Sequence, residues 1–167
     1  SDMYKLVKDF FSHDMDLDDL FDSEAIIWID WREDDEDVVN YFNDMMDEPI
    51  DIQIVSNGKP YGDDIVLKNG NKELQIPYGD EQDRDVTIKY FNDFVKPDYE
   101  VRWFAESLGN DTLGFTVLSG AEWANLEDEF GADTVRYYFE PINLESNMFN
   151  LDMDEVSALL ELRENNR

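Results

Sequence analysis

The tetrapeptide Tyr-Phe-Asn-Asp occurs twice, at 41–44 and at 90–93, an offset of 49 residues. Four letters can recur by chance, but their surroundings recur with them. An acid-rich turn precedes each copy, Asp35-Glu36-Asp37-Val38 and Asp83-Arg84-Asp85-Val86, and aligning these turns leaves a one-residue gap before the tetrapeptide. A proline follows each, Pro49 and Pro97, then a strand-like run at 50–55 or 99–104. Each run leads through a glycine-bearing loop, 56–62 or 107–109, to another strand, and upstream 24–30 stands where 73–79 stands. The chain therefore reads as a duplicated strand–helix–strand–strand unit, 24–70 and 73–120. Such a repeat must bury the same apolar faces twice.

Periodicity supplies the other elements. Helices are predicted over 4–11, 14–22, 120–130 and 154–163, the third ended by Gly131. Residues 25–31 (AIIWIDW) form the strongest strand, and their near-continuous apolarity predicts a central position. Asn57-Gly58 and Asn69-Gly70 are turn signals around a strand at 64–68 that leads to another at 73–76. Residues 135–142 (VRYYFEPI) read as a strand and 144–150 as a loop. The fold class is α+β (mixed α/β): one globular domain over 1–167, with a central mixed sheet carrying packed helices. Strand–helix–strand links predict some parallel pairing through right-handed crossovers.

Charge narrows the function. The chain has 42 acidic and 13 basic residues, a net charge of −29, yet 42% apolar and 14% aromatic content sets it apart from a disordered acidic tail. A small domain is comfortable at a net charge of roughly 2–8, and the excess costs self-repulsion. It excludes direct nucleic-acid binding, which needs a basic footprint, and disfavours anionic membranes. It favours a basic protein partner, cations or a high-salt habitat. With no cysteine, no signal-peptide pattern and no apolar run near ~18 residues, a cytoplasmic location is expected.

The acid is concentrated. Residues 33–51 hold nine acids and no base, and 14–51 hold sixteen with Arg32 as the one base. Val38, Phe42, Met45 and Pro49 share one helical face, with Val39 and Met46 beside them, so 33–51 predicts an amphipathic helix capped by Asp34 or Asp35. Its repeat carries Arg84, Lys89 and Lys96 among its acids. The scaffold thus tolerates mixed charge, and the pure acidity of the first copy is assigned to function. The predicted partner-binding residues are Asp14, Asp16, Asp18, Asp19, Asp22, Glu33, Asp34, Asp35, Glu36, Asp37, Asp44, Asp47 and Glu48. Trp31 and Tyr41 are the candidate anchors, because binding energy concentrates in such side chains.

Nothing points to catalysis. His13 is the single histidine, no phosphate-binding glycine loop occurs, and carboxylate pairs among 42 acids carry no information. Asp14-x-Asp16-x-Asp18 opens like a calcium loop, but Asp19 and Ala25 stand where it needs glycine and glutamate. The sequence predicts a binding protein, not an enzyme, with no catalytic residue, no cofactor and no dedicated metal site.

The second half, from KYFNDFVKPDYEVRWFAESLGNDTLGFTVL through EWANLEDEFG to VRYYFEPI, resembles the small acidic immunity proteins of bacterial polymorphic and contact-dependent toxin systems. The likeness lies in size, acidity, α+β order and a Trp-bearing helix after a DTLGF strand. It implies a cytoplasmic, non-enzymatic inhibitor that binds the toxin domain encoded beside it and blocks its active site or substrate groove. A basic toxin, a nuclease first among them, fits the acidic face, since duplex DNA carries one negative charge per ~1.7 Å. A nucleic-acid mimic of phage or plasmid origin acting on restriction or CRISPR-type machinery, and a generic acidic domain, remain the alternatives.

Overall fold

Gly70-Asn71 closes the tightest hairpin of the chain: Gly70 has φ 60°, and Asn69 lies opposite Lys72. Hairpins of this kind build two antiparallel sheets. The computed structural model describes residues 1–60 and 62–166. In chain order these hold α1 (Asp2–Phe11), α2 (Leu17–Phe21), β1 (Ile27–Asp30), α3 (Asp35–Asp44), β2 (Asp51–Ser56), β3 (Asp63–Asn69) and β4 (Lys72–Gln75). There follow α4 (Arg84–Val95), β5 (Tyr99–Phe104), β6 (Thr112–Ser119), α5 (Gly120–Phe130), α6 (Ala132–Tyr138), β7 (Phe139–Pro141) and α7 (Met153–Asn165). The class is α+β. One sheet has the order β1-β6-β5-β7 and the other β2-β3-β4.

Every pairing is antiparallel, which corrects the single mixed sheet expected from sequence. The reason lies in where the two helices lead. α3 carries the chain from β1 in the first sheet to β2 in the second, and α4 carries it back from β4 to β5. The one helical crossover that returns to its own sheet, from β6 through α5 and α6 to β7, lands beyond β5, so among the described residues no parallel neighbours form. β1 is an edge strand and not the central one. Its apolar run reflects two covered faces: Ile27 and Ile29 enter one core, Ile26 and Trp28 the other.

The repeated segments have the same element order and exchange their first strands. β1 pairs with β6 of the other segment, and β4 with β3. Corresponding rungs match: Trp103 lies opposite Phe115, which lies opposite Ile27, while Ile54 lies opposite Ile65, whose carbonyl accepts the N–H of Ile76 at 2.9 Å. The helix N-caps are Asp34 and Asp83, so the 49-residue offset runs through helix and tetrapeptide alike, and the gap suggested by sequence disappears. The phenylalanines of the two tetrapeptides, Phe42 and Phe91, are both fully buried and pack with ring centroids 5.5 Å apart. Asn43 bonds both the N–H and the C=O of Ile50 (2.8 and 2.9 Å), and Asn92 accepts from Val101 N–H (2.8 Å) and donates to the Ile142 C=O (3.0 Å). Each asparagine ties its helix to the strand that follows.

One core gathers α3, α4 and the inner residues of both sheets; a second lies on the other face of the first sheet beneath α1, α2, α5 and α6. The strand expected over 135–142 is mostly helix. Gly131 ends α5 and the chain re-enters a helix, burying Val135 and setting Tyr138 edge-on to Phe10 at 5.0 Å. Packing here overrides β propensity, and only Phe139–Pro141 pairs as β7. The final helix, α7, buries no residue and leaves Leu160, Leu162 and Met153 exposed. Among the described residues no helix is long and apolar enough to cross a membrane.

Candidate functional site: the Trp31 turn and the outer face of α3

The site begins with a turn. Between β1 and α3 the chain reads Trp31-Arg32-Glu33-Asp34, and Arg84 of α4 holds it from inside. The Arg84 guanidinium donates to the Asp35 carboxylate at 2.9 Å, to the Asp30 C=O at 2.5 Å and to the Glu33 C=O. It also lies over the Phe149 ring, 5.5 Å from its centroid. Arg32 grips the Asp30 carboxylate through its side chain and backbone (2.8–3.1 Å), and this bonding holds the Asp30 carboxyl below the usual range. The turn is thereby fixed with Trp31 outward, 62% exposed.

Beside Trp31 runs a groove of about 350 Å³, floored by Leu108, Leu113, Met148 and Phe149, with Asp111 and Asp152 on its lining. Asp85 positions one wall. Its buried carboxylate accepts the N–H groups of Met148 (3.0 Å), Phe149 (2.8 Å) and Asn150 (3.1 Å). Consecutive residues at the start of α4 thus hold both sides of the groove, Arg84 the tryptophan turn and Asp85 the 148–150 segment.

From this turn α3 runs with Val38, Val39 and Phe42 buried and Glu36, Asp37, Asn40, Tyr41 and Asp44 outward. Glu36 and Asp37 sit in the first turn, where the helix dipole favours anions. The Tyr41 hydroxyl donates to Glu33 at 3.3 Å, and desolvation together with that carboxylate raises its pKa. Among the described residues Asp34, Glu36, Asp37, Asp44, Asp47 and Glu48 form no ion pair. The bases are engaged elsewhere: Arg102 with Glu100 and Glu127, Arg136 with Glu127, Arg163 with Glu106.

Not all the predicted residues come together. Asp35 is buried against Arg84 and belongs to the scaffold, not to the exposed face. Asp14, Asp16, Asp18, Asp19 and Asp22 are exposed, but they flank α2, which packs on the opposite face of the first sheet from α3. The acids of 14–51 therefore form two groups divided by β1. In the α2 group Asp16 caps the helix by accepting from Asp19 N–H (2.8 Å), and its charge raises the Asp19 pKa. Within the second repeat Arg84 does not decorate a mixed-charge surface, because it is spent neutralising Asp35. Sequence reading missed Arg84 and Asp85 as organisers. The signal was present, since Asp35 and Arg84 are opposite charges at equivalent repeat positions.

Elsewhere, a groove of about 980 Å³ opens between Leu17, Glu106 and α6, where Arg136 is already paired with Glu127. His13 is exposed, in the left-handed conformation that closes α1. Among the described residues no three His, Asp or Glu side chains group as a metal site. Compared with known protein families, with curated proteins and with solved structures, the chain finds no match in any of the three.

Proposed function

We infer that this protein is a non-enzymatic inhibitor that binds a basic protein domain, in the manner of an immunity protein neutralising a toxin, with a nuclease as the first candidate target. One observation supports this above the others: a turn fastened by buried ionic contacts presents a 62%-exposed tryptophan beside an apolar groove, next to a helix face carrying Glu36, Asp37 and Asp44 without a base. Surface charge by itself steers association and rejects wrong partners, and a rigid aromatic anchor in an apolar setting supplies the affinity that charge lacks. A carboxylate row on a helix also competes with nucleic acid for a basic groove. The α2 acids lie apart and add to the long-range field.

The test is recovery of the partner by affinity purification from the source cell, followed by assay of that purified protein for nuclease activity with and without this chain. A basic partner whose activity falls in proportion to added chain supports the reading. A neutral or acidic partner, or full activity in the saturated complex, overturns it.

A further inference from the structure

The β2–β3 and β5–β6 ladders correspond rung for rung, but their outer edges differ. On the outer edge of β5 lies β7, with Trp103 opposite Glu140. In the other sheet β2 takes the place of β5, and Gln53, Ile54 and Val55 occupy the positions of Arg102, Trp103 and Phe104. There, among the described residues, the outer edge carries no strand. The ladder fixes which groups face outward. The bond from Ile76 N–H to the Ile65 C=O (2.9 Å) turns Ile65 toward β4, so its neighbours Asp64 and Val66 face β2. Alternation then directs the N–H and C=O of Ile52 and Ile54 away from β3. At the next such position, Ile50, the side chain of Asn43 bonds both backbone groups. Among the described residues nothing does the same for Ile52 or Ile54.

We propose that the outer edge of β2 binds an extended segment of a basic protein, added antiparallel as β7 is added to β5. This deepens the reading of a basic partner and rests on it. Strand addition satisfies the outward backbone groups. The surroundings set the chemistry. Asp44, Asp47, Glu48 and Asp51 gather where α3 passes into β2, all of them exposed. Lys68, opposite Asp51, is already paired with Glu73 at 3.0 Å. A second copy of this chain would set −29 against −29, which leaves a cationic segment as the fitting occupant. Neighbouring strands in register share faces. The segment therefore places apolar residues beside Ile52 and Ile54 and a lysine or arginine beside Asp51. The site continues the acidic face of α3 at its C-terminal end.

Amide hydrogen exchange read by NMR on the full chain tests this. The probe is an acetylated, amidated octapeptide of alternating lysine and valine, at up to millimolar concentration, with the glutamate–valine counterpart as control. In the free protein the Ile52 and Ile54 amides exchange faster than those of Gln53, Val55 and Trp103. The lysine peptide slows Ile52 and Ile54 by about tenfold or more, as closing an edge does, and the glutamate peptide does not. Slowing confined to the Trp31 turn would leave the acidic-face reading standing and overturn strand addition. No slowing anywhere would tell against both. Equal slowing by the glutamate peptide, or slowing on concentrating the protein alone, would overturn the cationic occupant. Ile54→Pro removes an outward N–H without removing a bond to β3 and abolishes the peptide's effect at Ile52; should that variant fail to fold, exchange in the native chain decides alone.

Discussion

At the scale of single residues, the buried acid Asp35 does work that its exposed neighbours do not. Asp35 and Arg84 form an ion pair with both side chains 8% exposed. Such a pair returns little net stability over an apolar packing, but breaking it strands a charge. Asp35→Asn is expected to cost about 3–5 kcal/mol in urea unfolding, while Asp35→Leu combined with Arg84→Met costs less than the sum of the single changes. In the double variant the Trp31 turn loses its internal tie, so weakened binding with retained stability identifies that tie as the positioning device. His13 offers the opposite sign. It holds φ 64° as the left-handed residue ending α1, with Asp14 N–H bonded to the Asp9 C=O at 2.9 Å. A glycine there escapes the side-chain penalty, and His13→Gly is expected to stabilise the chain by about 1 kcal/mol, visible as a Tm higher by several degrees.

At the scale of elements, the two tetrapeptides were legible and their meaning was not. The sequence displayed Phe42 and Phe91 as helical core positions and Asn43 and Asn92 as recurring polar ones. Only the fold shows the asparagines clasping the strands that follow. Asn92→Ala leaves the Val101 N–H unpaired in the interior and the Ile142 C=O with only the 3.4 Å bond from Lys96, and is expected to cost about 1–3 kcal/mol, whereas Asn43→Ala, at a half-buried site, costs less. The antiparallel sheets were hidden because a strand–helix–strand pattern does not say whether its two strands share a sheet. Helix α6 was hidden because VRYYF satisfies β propensity locally, while Phe10 and Phe11, packed on Tyr138, reward it as a helix. The candidate site was legible in part: the acidic face of α3 follows from pattern, whereas Trp31, read from sequence as the end of a central strand, stands in an exposed turn beyond β1. That α2 lies across the sheet from α3 follows from β1 feeding two cores, which no local window reveals. Trp31→Ala is expected to raise the dissociation rate of the partner by about tenfold or more with unfolding unchanged.

At the scale of the molecule, the net charge of −29 sets the response to pH and salt. Asp19 has its pKa raised by Asp16, so the folded chain carries a repulsion at neutral pH that is relieved as pH falls toward about 4. Glu127 behaves oppositely. The bonded side chains of Arg136 and Arg102 hold its carboxyl below the usual value, so its contribution is present above about pH 4.3 and lost as pH falls through the lowered value. Calorimetry should therefore find Tm nearly level from pH 8 to about 6, rising as pH falls from there toward about 4, rising with salt at pH 7, and falling at lower pH as Glu127 is protonated. The association rate constant of the purified partner, measured by stopped flow against ionic strength, tests the acidic face most directly. With an acidic face steering a basic partner, the rate falls by about tenfold or more between 50 mM and 500 mM salt, and Glu36→Gln, Asp37→Asn and Asp44→Asn together flatten that dependence. A rate indifferent to salt, or a triple variant with the same dependence as the parent, would contradict it.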